Sequence, residues 1–192
     1  MDITKQVAEE FCDRGAVTLK PKLNKQTSVI GEIFDIYCVA LNIKPLAALD
    51  FSTYGRSKYK KYDSQTLKLI NDIIKFCNSK KVCYFHINKR GGMYLKSIFF
   101  LEENKDNAIK LMHHLWIKCD ILDDTYYHVI NGYLLGYKNE NIKHFIKKNY
   151  DLDLSEETIT NFQKHCDSLK YDISDLNKCD HKIVLKTSIK EF

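Results

Sequence analysis

Two groups of side chains in this 192-residue chain have the types and spacing for chemistry, one cationic and one of thiols, imidazoles and carboxylates. The cationic group is Tyr54-Gly55-Arg56-Ser57-Lys58-Tyr59-Lys60-Lys61-Tyr62, in which three tyrosines are interleaved with four cations. It is continued by Asn88-Lys89-Arg90-Gly91-Gly92, where glycine lets the backbone approach a partner closely. Cations neutralise phosphates and tyrosine rings stack on unpaired bases. Arg56, Lys58, Tyr59, Lys60, Lys61, Tyr62, Lys89 and Arg90 are therefore the candidate residues for nucleic acid or another polyanion.

The charge map isolates the same stretch. Residues 51–96 carry 11 basic and 2 acidic side chains, a net of +9. Residues 1–50 carry 6 and 7, and residues 97–192 carry 13 and 16, so one segment holds more than the whole excess of +5. Of the 30 basic residues 27 are Lys, which binds anions as a point charge without the bidentate fork of Arg. Lys, Asn, Ile and Tyr are also the residues of A/T-rich codons, and the chain has 20 Ile, 13 Asn and 12 Tyr. Genome composition accordingly explains part of the lysine excess.

The second group offers less. Cysteines stand at 12, 38, 77, 83, 119, 166 and 179, an odd number at irregular spacing with no C-x-x-C. That pattern reads as free thiols in a reducing compartment, with Cys38 and Cys77 serving as small core hydrophobes. Cys83 and His86 are three apart on a predicted strand, which sends them to opposite faces and prevents them sharing an ion. His165, Cys166, Cys179 and His181 are the remaining set for zinc, at a nonstandard spacing that reads as ordinary thiols and surface imidazoles. Asp120, Asp123 and Asp124 either share a helical face or cap a helix, and the cap needs no missing partner. His113 and His114 lie on a predicted helix, one expected at the core boundary and the other toward solvent. Trp116 is expected to be a packing anchor.

Phosphate cradles of the G-x-x-x-x-G-K-[ST] and G-x-G-x-x-G types do not occur, nor does a G-x-S-x-G nucleophile elbow. No catalytic residue, metal ligand or cofactor is assigned. The longest charge-free stretch of interest, 125–137, has 13 residues, against roughly 20 for a spanning helix. No basic region precedes an apolar core at Met1-Asp2-Ile3-Thr4-Lys5-Gln6, so a cytoplasmic protein that does not engage the membrane is expected.

Apolar periodicity supplies the elements that must position these groups. Helices are predicted over 3–14, 28–41 and 64–79, the last with the stripe Leu67, Ile70, Ile74 and Cys77. A short strand is expected at 16–19, and 46–51 is ambiguous between strand and helical turn. Two β-branched and aromatic runs, 81–87 and 93–101, flank a Gly-Gly turn and read as a hairpin. Helices follow over 106–118, 124–135, 140–150 and 155–169, and 181–189 reads as a strand or an ordered tail. The fold class is α+β (or α/β), with a mixed region 1–101 holding the basic strip and a helical region 102–192, the two forming separate domains or one continuous one.

The stretch His128-Val-Ile-Asn-Gly-Tyr-Leu-Leu-Gly-Tyr-Lys-Asn-Glu-Asn-Ile-Lys-His-Phe-Ile146 has the form of an αα-corner. Gly136 makes the turn, while Ile142, Phe145 and Ile146 line the second helix. With the Lys/Asn/Ile/Tyr bias, these roughly twenty residues resemble small proteins of large nucleocytoplasmic (giant) DNA viruses. The resemblance implies a place in the host cytoplasm or the virion, and it brings no activity and no functional residue. The expectation is a non-enzymatic accessory or interaction protein with a protein partner and a basic surface strip. A nucleic-acid-binding module on that strip is the alternative, and an enzyme of unassigned class the third.

Overall fold

The computed structural model describes residues 25–49, 64–89, 95–116, 124–176 and 181–189. The element order is α1 (Lys25–Ala40), β1 (Leu46–Leu49), α2 (Ser64–Ser79), β2 (Cys83–Lys89), β3 (Leu95–Phe100), a 3-10 turn (Glu102–Asn104), α3 (Lys105–Trp116), α4 (Asp124–Leu134), α5 (Asn139–Tyr150), α6 (Glu156–Ser168), α7 (Ile173–Leu176) and β4 (His181–Lys186). This is an α+β fold. The predicted helix at 3–14 and strand at 16–19 fall outside the described residues, as does the turn of the hairpin.

The four strands form one antiparallel sheet in the order β1-β3-β2-β4. The predicted hairpin is present, with Cys83 opposite Phe100 and His86 opposite Ser97. The ambiguous segment after Pro45 is a strand, because Leu46 to Leu49 pair with Phe100 to Ser97. Period-2 alternation gives each face its own core. Tyr84 and Phe99 face the helices α1 and α2, packing with Ile36, Val39, Ile70, Ile74 and Cys77. Cys83, Phe85, Ile98 and Phe100 face the other way, against Ala108, Leu111 and Met112 of α3 and Ile130 of α4. Helices thus cover both faces, and the strands read as continuous apolar runs for that reason. The helical region after residue 101 packs onto the sheet through α3 and α4, and β4 joins it beside β2.

Three helices end in the same way. Tyr137 N–H donates to Gly132 O at 2.9 Å and Gly136 N–H to Tyr133 O at 2.9 Å, with Gly136 at φ +79°, which makes the predicted corner a Schellman motif. Ile43 and Asn42 repeat the pattern after α1, and Val82 and Lys81 after α2, with Asn42 at φ 56° and Lys81 at φ 58°. Lysine in the left-handed region carries a steric cost of roughly 1–2 kcal/mol that glycine avoids, partly offset by glycine's larger entropy loss on folding. Lys81→Gly is therefore expected to stabilise the fold by about 0.5–1 kcal/mol, raising the thermal midpoint by roughly 1–4 °C. Calorimetry on the variant checks this; a lowered midpoint would show that the lysine side chain carries a contact worth more than the strain.

The end of the chain is tied back to α2. Asn78 donates its amide to Ile189 O at 2.9 Å and accepts from Ile189 N–H at 2.8 Å, while the Ile189 side chain is buried beside α2. At α6, the Ser155 hydroxyl accepts from Thr158 N–H at 3.1 Å and Glu156 and Glu157 occupy the first turn, as its sequence required.

Candidate functional site

The lysine-bearing surface is built on α2. Its apolar stripe turns Ile70, Ile73, Ile74 and Cys77 into the core, and the complementary stripe places Ser64, Lys68, Asp72, Lys75 and Ser79 in solvent. Lys80 and Lys81, exposed in the loop after the helix, extend the row, so four lysines surround a single aspartate. The Lys80 ammonium sits 5.5 Å from the centre of the Phe76 ring. Lys186 of β4 lies in register with Tyr84, three residues beyond Lys81, and so belongs to the same end of the sheet. Lys68, Lys80, Lys81 and Lys186 form no ion pair with another described residue.

On the helices beyond the sheet several lysines sit against acids. Lys143 meets Glu156, Lys147 lies 3.0 Å from Asp151 and 2.8 Å from Asp153, and Lys105 lies 3.0 Å from Glu102. The Lys143 and Asn139 contacts hold the Glu156 carboxyl below its usual range, and the Asp153 and Asp151 carboxylates raise Lys147.

Of the strip expected from sequence, Lys89 closes β2 opposite His181. Arg56, Lys58, Tyr59, Lys60, Lys61, Tyr62 and Arg90 lie outside the described residues. The lysines of α2 were inside the +9 segment but were not singled out, although the complement of the Leu67, Ile70, Ile74 and Cys77 stripe marks them as outward.

A second cluster lies under α3, α4 and α6. His113 and His114 are 5% and 1% exposed, so the expectation that one faces solvent is corrected. Helix α3 is covered from two sides: its sheet face carries Leu111 and Met112, and Tyr171 closes over its outer flank. The His113 ring stacks on Tyr171 with centroids 4.0 Å apart, and His114 lies 5.9 Å from Tyr126. Tyr126 also meets Phe162 edge-on at 5.1 Å. The Tyr126 and Tyr171 hydroxyls are buried without a hydrogen-bond partner among the described residues. Burial, followed by Cys166 and Tyr171, pushes the Tyr126 hydroxyl up to about 12. Burial likewise pushes the Cys166 thiol up to about 11 and the Cys77 thiol up to about 12.

Such thiols stay protonated at neutral pH and are poor nucleophiles. Cys77, Cys83 and Cys166 are free thiols. Among the described residues no group of three or more His, Cys, Asp or Glu can hold a metal ion. Of the zinc set considered from sequence, Cys166 is fully buried and His165 exposed, while Cys179 lies outside the described residues. Cys83 and His86 do face opposite sides of the sheet, Cys83 packing with Phe85 and His86 bonding Ser97.

His86 Nδ1 lies 3.3 Å from the Ser97 hydroxyl, and its ring is half-buried. Burial and then the Lys186 cation hold the imidazole below its ordinary 6.5. The unfolded chain takes the proton near 6.5 and the folded chain resists it, so this histidine's contribution is intact above 6.5 and declines as pH falls from there through the lowered value. The thermal midpoint of the parent chain is expected to fall between pH 7.5 and 5 by more than that of His86→Gln. Equal pH dependence in the two proteins would contradict this account of His86.

No described helix is long and apolar enough to cross a membrane. Comparison of the chain with protein-family models, with curated proteins and with solved structures finds no match.

Proposed function

We propose that this chain is a non-enzymatic accessory or interaction protein that holds an acidic partner on its lysine-bearing face, in the cytoplasm of an infected cell or in the virion of a large DNA virus. One observation carries the reading. Four exposed lysines, Lys68, Lys75, Lys80 and Lys81, follow one another along α2 and its exit loop around a single aspartate. They lie in the segment whose net charge is +9, in a chain whose remainder is net acidic. A rigid helix offers such a row at fixed spacing and concentrates positive potential over one surface. The origin in a large DNA virus rests on the αα-corner stretch and the codon bias alone.

Nucleic acid is the second reading, favoured by the three tyrosines interleaved with cations in residues 54–62, a pattern suited to stacking unpaired bases. Two sets of charge reversals test both. Lys68, Lys75, Lys80 and Lys81 are changed to Glu in one variant; Lys58, Lys60, Lys61, Lys89 and Arg90 in the other. Each is expected to weaken binding to polyglutamate at low salt by at least about tenfold. Stronger binding of a single-stranded oligonucleotide, lost in the second variant, would select the nucleic-acid reading. Undiminished binding of both probes in both variants would sink the basic face as the working surface.

A further inference from the structure

The two edges of the sheet differ. Leu46, Ala47 and Leu49 of β1 are buried, whereas Leu185 and Lys186 of β4 are exposed, Leu185 at 42%. Beyond β4 no further strand pairs among the described residues. An exposed edge presents unpaired N–H and C=O groups, which template the addition of another strand. The exit of β4 is also fixed, since the two hydrogen bonds between Asn78 and Ile189 anchor the chain three residues past the end of the strand. This edge is therefore a held surface.

Its two faces differ in chemistry. Lys182 and Lys186 stand in register with Asn88 and Tyr84, at one parity along the strand, and Ile183 and Leu185 occupy the other. Lys80 and Lys81 lead directly into β2, so they add charge at the Lys186 end. A second copy of the chain is a poor occupant. A two-fold axis normal to the sheet keeps parity, so self-pairing would put Lys186 of both copies on one face of one seam. Like charges across a strand pair are destabilising, and lysine on an edge is a common guard against such association.

The guard becomes an attraction for a strand of opposite charge. We infer that β4 is the docking edge for an extended acidic segment of a protein partner, one in which carboxylates alternate with apolar side chains. The segment adds to the sheet as a further strand: backbone hydrogen bonds supply affinity, carboxylates meet Lys186 and the Lys80–Lys81 pair, and apolar side chains cover Leu185. The inference rests on the reading of the basic face as the working surface and gives the partner's form.

The probe is a short synthetic peptide alternating glutamate and valine, offered to the full chain, with binding followed by fluorescence anisotropy and by amide hydrogen exchange. The peptide should bind, and the β4 amides that point away from β2 should gain protection. A peptide alternating lysine and valine should not bind. Leu185→Asp and Lys186→Glu, both at exposed positions, should each weaken binding by about two- to fivefold, as expected for one lost apolar contact or one reversed charge at an edge. Binding without new protection on β4 would overturn the inference, as would free protein in which every β4 amide is already protected.

The two readings separate on the variant in which Lys68 and Lys75 are Glu. If that variant loses polyglutamate while the glutamate–valine peptide never protects β4 in the parent chain, the basic face stands and the docking edge falls. If the peptide protects β4 equally in parent and variant and polyglutamate binding is also unchanged, the edge stands and the helix face falls.

Discussion

Gly136→Ala is expected to lower stability by about 3 kcal/mol. Gly136 sits at φ +79°, where an L-residue carries a strain of roughly 1–2 kcal/mol. A Cβ there would also lie 2.4 Å from Pro45 Cδ and 3.1 Å from its Cγ. A proline ring is rigid, so the backbone must move, which adds about 1–3 kcal/mol of overpacking. For a chain of this size the total corresponds to a fall in thermal midpoint of roughly 6–12 °C. Gly132→Ala is a useful companion. Its Cβ would meet Ile142 Cγ1 at 2.7 Å on a normal helical backbone, so only a packing cost arises there, and that loss should be the smaller. Equal losses in the two variants would refute the special role given to the left-handed residue.

Asp35→Ala is expected to cost nearly as much, for an electrostatic reason. Lys44 is only 4% exposed, although lysine is almost never buried without a partner. Its ammonium lies 2.8 Å from Asp35 Oδ1 and 4.8 Å from the centre of the Tyr137 ring. Removing the carboxylate takes the counter-ion from a buried cation that also lies against the Tyr137 ring. Breaking a buried pair costs about 3–5 kcal/mol; with the Asp35 side chain 26% exposed, the lower end, about 3 kcal/mol, applies. Adding Lys44→Met should restore most of the loss, because the stranded charge is gone. The thermodynamic cycle of the two single variants and the double variant measures this, and a double variant less stable than Asp35→Ala would contradict it. The site links the α1–β1 connection to the corner after α4, the same contact that Pro45 and Gly136 make.

How far the sequence reveals this molecule depends on the range of each interaction. Helix α2 was legible to the residue because Leu67, Ile70, Ile74 and Cys77 repeat at helical spacing, and the hairpin because two β-branched runs flank glycines. The place of β4 was not legible. Its partner β2 lies about a hundred residues earlier, and nothing local to His181–Lys186 specifies that register. The burial of both His113 and His114 was hidden for a related reason. Adjacent helical residues point about 100° apart, and both positions become interior because Tyr171 stacks on His113 while Tyr126 and Tyr171 both lie beside His114. The charge map drew attention to residues 56–62 and 89–90 within the segment 51–96. Lys68 and Lys75 were legible as the complement of the Leu67, Ile70, Ile74 and Cys77 stripe, and the structure adds Lys80 and Lys81 beside them as exposed residues of the exit loop.

The most direct measurement of the working surface is the salt dependence of anion binding by the full chain. Affinity for polyglutamate and for a single-stranded oligonucleotide would be followed from low to physiological salt, in the parent chain and in the variant with Glu at 68, 75, 80 and 81. A multi-contact basic face predicts that log affinity falls steeply with log salt. For the oligonucleotide the slope should become shallower by about 0.7 for each contact the variant loses. A flat dependence in the parent chain, or the same slope in parent and variant, would mean that the lysines of α2 hold no anionic partner.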